Sequence, residues 1–308
     1  MTMFKAMRTF RCKAGIIGAC LCALMLLGGC SAVRIGYNQA STLTWWWLDG
    51  YFDFNAAQEP QVKAALQQWF DWHRRTQLAD YADLLAAAQV QVLQPATPQQ
   101  VCRWAELLRA RLDTAVAYGV PLAAELLPTL NAANLAQLQR RYETSNQDFE
   151  RDFLQPPGER LQASVQRTID RAQLLYGRLD ARQRELVAAG VADSPFDPAA
   201  WYAERRALQV RTLQTLTTAT AAPAPSADRD ANLARLQTLA ERWQRAPPGD
   251  YRDYQQRLAA YNCAFIAQLH NSTTPAQRSH AQERLRGWER DLRALASDRA
   301  GAASALAP

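Results

Sequence analysis

The stretch NAAQEPQVKAALQQWFDWHRRTQLADYADLLAAAQVQVL, residues 55–93, decides the fold class of the chain. Its apolar residues recur every three or four positions, which is the spacing of one face of an α-helix. That face consists of Val62, Leu66, Phe70, His73, Gln77, Tyr81, Leu84 and Ala88. Asn55 and Gln58 precede it at the spacing of a capping box, and Pro60 is tolerated within a first helical turn. The stretch therefore predicts one long helix from Ala56 to Leu93.

The remainder of the chain predicts further helices, because alternating runs of strand-forming residues are nearly absent and helix-start signals recur. Thr97 and Pro98 start a second helix. Its apolar face consists of Val101, Trp104, Leu108, Leu112 and Ala115. A short segment follows, in which the helical pattern is interrupted at Gly119, Pro121 and Pro128. Since short polar breaks join antiparallel neighbours, the sequence predicts an all-α fold, an elongated multi-helix bundle of antiparallel helices.

The chain divides into five predicted segments. They are a lipoprotein signal peptide (1–29), a lipidated N-terminus with an aromatic membrane-proximal part (30–55), an N-terminal helical half (56–155), a C-terminal helical half (156–298) and a loose tail (299–308). The two halves meet near the break QPPGE, which begins at Gln155. The stretch TATAAPAPSAD, Thr218 to Asp228, is the best candidate for a linker because it is rich in alanine and proline.

The N-terminus has the form of a secretory signal. Four basic residues precede an apolar run, Ala14 to Leu27, that is too short to span a bilayer, which needs about 20 residues. Leu27-Gly28-Gly29-Cys30 follows and resembles the lipobox of bacterial lipoproteins. The resemblance implies that Cys30 carries acyl chains, palmitate among them, and attaches the chain to the membrane. Ser31 in place of Asp implies the periplasmic face of the outer membrane rather than the inner membrane. The alternative is an ordinary signal peptide with a chance cysteine.

The charge of the chain gives no indication of a nucleic-acid partner. The formal charge is +6, but four basic residues and no acid lie in residues 1–29, which leaves 31 basic and 29 acidic residues. A balance so close to neutrality is not the basic footprint of a nucleic-acid-binding domain.

Two of the six cysteines remain once the signal and lipid attachment are set aside. Cys102 and Cys263 would lie in an oxidising compartment, where a disulfide is permitted. The alternative is two separate buried thiols. We favour the disulfide because these two cysteines are the ones left.

No catalytic residue, metal site or cofactor is expected, so the chain is not predicted to be an enzyme. His73 lies on an apolar seam and invites a role as general base or metal ligand. However, no H-x-x-x-H, H-E-x-x-H or G-x-S-x-G pattern accompanies it. A packed, hydrogen-bonded histidine is the favoured interpretation.

Three consecutive tryptophans, Trp45 to Trp47, follow the lipobox. Successive helical side chains fan over about 200°, so the three cannot all face one core. We expect Trp47 and one neighbour to pack near Trp69 and Trp72. The third would lie at lipid headgroups or in a partner site. The candidate interaction surface consists of Trp45, Trp46, Asp49 and Tyr51.

The stretch GYNQASTLTWWWLDGYFDFNAAQ, which begins at Gly36, resembles an uncharacterised family of bacterial helical lipoproteins. The shared pattern comprises Tyr37, Asn38, Trp47, Leu48, Asp49, Tyr51, Phe52, Asp53, Gln58, Trp72, His73, Arg74 and Arg75. The resemblance implies a lipid anchor, helical structure and no assigned activity. Two later elements, LDARQ from Leu179 and TPAQ from Thr274, resemble the L-T-x-x-Q elements of small periplasmic helical chaperones. Both also have the spacing of ordinary capping boxes, which we favour.

The leading hypothesis is therefore a non-catalytic, lipid-anchored protein that acts through an envelope protein or other envelope partner. The second is a chaperone-like or small-ligand-binding helical protein with an apolar groove. The third is an enzyme that uses His73 and nearby carboxylates.

Overall fold

The computed structural model describes residues 31–220 and 229–304, and these residues form α-helices joined by short connections, with no strand among them. The helices are α1 (Ser31–Asn38), α2 (Ala40–Phe52), α3 (Glu59–Thr76), α4 (Leu78–Gln91), α5 (Pro98–Leu126), α6 (Ala132–Phe153), α7 (Pro157–Tyr176), α8 (Ala181–Ala192), α9 (Pro198–Thr220), α10 (Arg229–Gln244), α11 (Asp250–Asn271) and α12 (Pro275–Ser304). The prediction of an all-α fold is confirmed. The signal peptide and Cys30 lie outside the described residues.

The long helix predicted from residues 55–93 is divided into α3 and α4 at Gln77, whose φ of −107° departs from helical values. The break is slight, because the Gln77 N–H still donates to the His73 carbonyl at 2.9 Å. The predicted capping box forms as expected, with the Asn55 N–H donating to Gln58 Oε1 at 2.9 Å. It closes a turn over residues 56–58, so α3 begins at Glu59.

Helix α5 continues through Pro121, where the sequence predicts an interruption of the helix. Proline lacks an N–H, so the helix loses its bond to the Ala117 carbonyl. Contacts with α3 offset that loss. Trp69 Nε1 donates to the Ala115 carbonyl at 3.0 Å, and the Trp72 ring stacks on Tyr118 at 4.0 Å. Packing between helices therefore overrides a local signal to stop.

Three buried clusters hold the helices together. The first joins α5, α6, α9 and α10, the second α7, α8 and α11, and the third α4 and α12. Their buried members are Ala124, Leu127, Leu138, Leu216, Ala219 and Leu236; Ile169, Leu179, Val187 and Leu269; and Val92, Ala281 and Leu285. Leu138 of α6 and Ile169 of α7 each contribute one of these buried residues.

Contacts cross the predicted boundary between the two halves. Helix α12 packs along α4, and α11 packs along α5. A disulfide joins Cys102 of α5 to Cys263 of α11, with the sulfur atoms 2.01 Å apart and a sequence separation of 161. Closing so long a loop stabilises a fold by about 4–5 kcal/mol in the chain-entropy model.

The starts of α8 and α12 are joined by a pair of glutamine amides. Gln183 Nε2 donates to Gln277 Oε1 at 2.7 Å, and Gln277 Nε2 donates back to Gln183 Oε1 at 2.9 Å. Each oxygen also closes its own capping box, because it accepts the backbone N–H of Asp180 or Thr274. The favoured capping interpretation of LDARQ and TPAQ is correct, and the two boxes face each other.

The starts of α3 and α6 are joined in the same way. Gln58 Nε2 donates to Asn134 Oδ1 at 2.8 Å, and that oxygen also accepts the Asn131 N–H at 3.0 Å. Asn134 Nδ2 donates to the Phe52 carbonyl at 2.8 Å. Both amides are buried yet fully bonded, as buried polar groups must be.

Helix α8 continues through Gly190 to Ala192, and this glycine lies against the Phe265 ring of α11, where an added Cβ would be 2.3 Å from the nearest ring carbon. Two predicted boundaries shift. Residues 218–220 of the candidate linker belong to α9, and residues 221–228 lie outside the described part. Residues 299–304, predicted as loose, are helical.

We expect Gln183→Ala to lower the free energy of unfolding by about 2–3 kcal/mol. The change removes the bond that Gln183 Oε1 accepts from the Asp180 N–H and the bonds that Gln183 Nε2 donates to Gln277 Oε1 and the Ser272 carbonyl, each worth about 0.5–1.5 kcal/mol. Urea unfolding with the disulfide intact measures the effect. The matched control is Gln166→Ala on the exposed face of α7, which should stay within about 0.5 kcal/mol. Equal effects at both positions would contradict a structural role for the amide pair.

Candidate functional site: an apolar groove along α5

A groove of about 1890 Å³ runs beside α5 and is lined by side chains from α2, α3, α4, α5, α10 and α11. Most of the lining side chains are apolar. Small-molecule sites usually enclose about 300–1,000 Å³, so this groove is larger than a pocket for one small ligand.

The floor of the groove is an apolar stripe of α5. It consists of Ala105, Leu108, Leu112, Ala115, Val116 and Gly119. Leu108 and Leu112 are 59% and 61% exposed. These two residues belong to the face of α5 predicted from the sequence, but no described helix covers them. Large leucines one turn apart and open to solvent indicate a surface that binds something.

The groove exists because α4 and α5 are held apart by long polar side chains. Arg111 Nη2 of α5 donates to Asp80 Oδ1 of α4 at 2.8 Å. Nearer the start of α5, Trp104 Nε1 donates to Gln91 Oε1 at 2.7 Å. These contacts bridge a gap that direct apolar packing would close.

The charges that line the groove are mostly positive. Four arginines, Arg109, Arg111, Arg245 and Arg252, contribute to the lining, against one acid, Asp113. Asp113 Oδ2 pairs with Arg245 at 3.1 Å, whereas its Oδ1 is buried without a hydrogen-bond partner. Arg111 and Arg245 are paired with Asp80 and Asp113, so among the described residues Arg109 and Arg252 are the lining arginines without an ion pair.

The tryptophan triplet is distributed differently from the prediction. Trp45, proposed as part of the interaction surface, is only 8% exposed; its ring stacks on Phe54 with centroids 5.7 Å apart. Trp47, expected in the core, is 58% exposed and borders the groove. Both expectations are wrong because α2 turns its Trp45 face toward α3. Trp46 is exposed, as an interaction residue must be.

The other two residues of the predicted interaction surface have structural contacts. Asp49 Oδ1 accepts the Phe54 N–H at 3.0 Å and closes the end of α2. That end is sharp, since Asp53 adopts a left-handed conformation with φ of 51°. Tyr51 packs against Trp47 and Tyr142, so it joins the groove wall to the first buried cluster.

His73 is the packed histidine that the sequence favours. Its Nδ1 lies 2.8 Å from the Tyr37 hydroxyl, and its ring stacks on Trp69 with centroids 4.7 Å apart. Burial lowers the pKa of His73 to about 4 and raises the pKa of Tyr37 to about 12. At neutral pH the tyrosine therefore donates to a neutral imidazole. The described residues contain no group of three side chains suited to hold a metal ion.

A second tyrosine–histidine pair was not predicted. His270 Nδ1 lies 2.9 Å from the Tyr176 hydroxyl, and Nε2 donates to the Gln94 carbonyl at 2.7 Å. Burial lowers the pKa of His270 too. No sequence signal links Tyr176 and His270, because they lie on different helices and are 94 positions apart in the chain.

The fold and groove define the chain as an all-α protein with an open, mostly apolar groove. Over residues 50–252, more than half of its length, the chain matches a family of unknown function (DUF6279), and it belongs to that family. The predicted family resemblance is confirmed to that extent, whereas the lipobox lies outside the matched residues and stays a prediction. No curated protein and no solved structure matches the chain.

We expect the protein to lose stability as the pH falls from 6.5 toward 4. Over this range the unfolded chain binds a proton at His73 and the native state does not, a difference worth up to about 3 kcal/mol. His73→Phe keeps an aromatic ring but cannot be protonated, so its loss between pH 7 and pH 4 should be smaller by about 2–3 kcal/mol. His270 remains in both proteins, which isolates the contribution of His73. The same pH dependence in both proteins would rule out this account.

Proposed function

We propose that the protein is a non-catalytic, lipid-anchored binding protein of the cell envelope. It is attached through acyl chains on Cys30 and faces the periplasm from the outer membrane. Its groove binds an amphipathic helix of a protein partner. The observation that carries this proposal is the uncovered stripe of α5. Its residues Leu108 and Leu112 are more than half exposed in a mostly apolar groove.

The shape of the stripe favours a helix as the bound element. Residues at intervals of three and four form the ridges that pack into the grooves of a neighbouring helix. Ala105 is small and exposed, so it leaves space beside the two leucines for the side chains of a partner, whereas Ala115 and Gly119 lie against Trp69 of α3. The stripe from Ala105 to Gly119 is about 21 Å long at 1.5 Å per residue, which accommodates several turns of a helix about 10 Å wide.

The charge of the groove favours a partner helix with acidic residues beside its apolar face. Arg109 lies on the groove wall with no ion pair among the described residues, and Arg252 bonds a backbone carbonyl rather than an acid. Acidic side chains at these positions would pair with the arginines and fix the register of the helix.

Two other functions have less support. A small amphiphile with an acidic head also suits an apolar groove with arginines, but it would fill only part of so large a volume. An enzyme that uses His73 would need a basic or ligating imidazole, whereas this imidazole is buried, stacked and poorly basic.

Among the residues described, no helix is both long enough and apolar enough to cross a bilayer.

The groove is tested by Leu108→Glu with Leu112→Glu. These side chains are exposed, so the double variant should fold, but two carboxylates would oppose binding of acidic or apolar groups. We expect an anionic naphthalene sulfonate dye to bind at least about tenfold more weakly, which is about 1.4 kcal/mol. The matched control is Leu174→Glu on α7, an equally exposed leucine outside the groove, which should bind the dye as the native protein does.

A photoreactive residue at Leu112 in living cells then identifies the occupant. An adduct whose crosslinked peptide is an acidic amphipathic helix supports the proposal. A lipid or metabolite adduct would establish the small-ligand alternative. Unchanged dye binding by the double variant would remove the groove as the binding site.

The anchor is tested by Cys30→Ser. We expect this change to abolish incorporation of labelled palmitate and to move the protein from the membrane fraction to the soluble fraction, because the acyl chains provide most of the membrane affinity. The control is Cys102→Ser with Cys263→Ser, which should retain the label. Labelling that survives in Cys30→Ser would contradict lipid attachment at this residue.

A further inference from the structure

Helices α1 and α2 form one continuous exposed apolar face. Hydrogen bonds of helical type cross the short break between them, from the Gln39 N–H to the Ile35 carbonyl and from the Leu43 N–H to the Gln39 carbonyl. Ile35, Leu43 and Trp46 therefore lie along the same side, at spacings close to whole helical turns. Each of these three side chains is more than half exposed.

The opposite side of α1 and α2 is fixed to the body. Tyr37 bonds His73, and Asn38 Oδ1 accepts a hydrogen bond from Arg74 at 2.6 Å. Trp45 is buried against Phe54. The two helices are consequently held so that the apolar face points outward and is not available to the protein's own core.

The exposed face carries no charge. Ser31 to Phe52 contains only two charged residues, Arg34 and Asp49. Arg34 pairs with Asp298 of α12 at 3.0 Å, and Asp49 closes the end of α2. Neither charge would have to be moved into an apolar environment if the face were covered.

We infer that this face, composed of Ile35, Leu43 and Trp46, lies on the surface of the lipid bilayer. The inference rests on the proposed anchor. Helix α1 begins at Ser31, the residue that follows Cys30 in the sequence. Measured from Ser31 along the helix, Ile35 lies about 6 Å and Trp46 about 22 Å away. An uncharged apolar face with a tryptophan, running away from an acyl anchor, fits the headgroup boundary of a membrane.

The bilayer contact gives the molecule a fixed orientation. Acyl chains alone attach a protein without fixing its tilt, whereas a helical face of this length fixes the body relative to the membrane plane. Trp47 is adjacent to Trp46 and borders the groove, so the groove opens beside the membrane surface.

The test uses the acylated protein in vesicles of phosphatidylethanolamine and phosphatidylglycerol that contain brominated lipids. Lipids brominated near the headgroup end of the acyl chains should quench the native fluorescence. Trp46→Phe should remove most of this quenching. Trp201→Phe is the control, because that tryptophan is 44% exposed on α9 and does not line the groove, and it should leave the quenching unchanged. Equal quenching of the native protein and Trp46→Phe would overturn the inference.

A photoreactive residue at Leu43 separates the bilayer from other occupants. Lipid adducts support the inference, whereas a crosslinked second copy or a partner protein would overturn it. Mass analysis of the N-terminal peptide shows independently whether Cys30 is acylated. If it is not, cosedimentation of the unacylated chain with the same vesicles is compared with that of Leu43→Glu. Weaker binding by Leu43→Glu keeps the face as a membrane contact, and equal binding removes it.

Discussion

The amide pairs between helix starts are the constraint on which the rest of the structure depends. Gln183 with Gln277, and Gln58 with Asn134, each close one capping box and bind the box of another helix. A buried amide is costly unless all its groups are bonded, so neither helix of a pair can slide without leaving a donor or acceptor unpaired. The positions of α3 and α12 follow from these contacts, and the walls of the groove follow from those positions.

Local signals in the sequence were sufficient for much of the fold. The helices were predicted from capping boxes and apolar stripes. The disulfide between Cys102 and Cys263 was predicted from the number of cysteines that remain after the signal and the lipid attachment site. The failures share one cause. Pro121 is accommodated inside α5 because two tryptophans of α3 pack there, and the side of α2 that turns inward buries Trp45 rather than Trp47. Both outcomes depend on packing against α3, which the apolar spacing within α5 or α2 alone does not reveal.

The groove shows that the periodicity of apolar residues does not predict whether a helix face is covered. The apolar stripe of α5 is typical of a helix packed in a core, and nothing in its spacing distinguishes a covered face from an open one. Leu108 and Leu112 are left open because Arg111 and Trp104 hold α4 at a distance through polar bonds. The arginines of the groove likewise have no sequence signature, since they come from α5, α11 and the connection before α11. Membership of a family of unknown function shows which residues of the chain match, 50–252, but it assigns no chemical activity to them.

The contact between α4 and α12 has a consequence for how the chain is made. The buried residues of α4 are covered by the last helix of the chain, and the amide of Gln183 finds its partner in that same helix. During synthesis, α4 emerges long before the helix that covers it. A chain interrupted before Pro275 would expose the apolar side of α4 and would lack the Gln277 amide that pairs with Gln183. Native packing is therefore completed only with the arrival of the final helix, and incomplete chains present uncovered apolar surface to proteases.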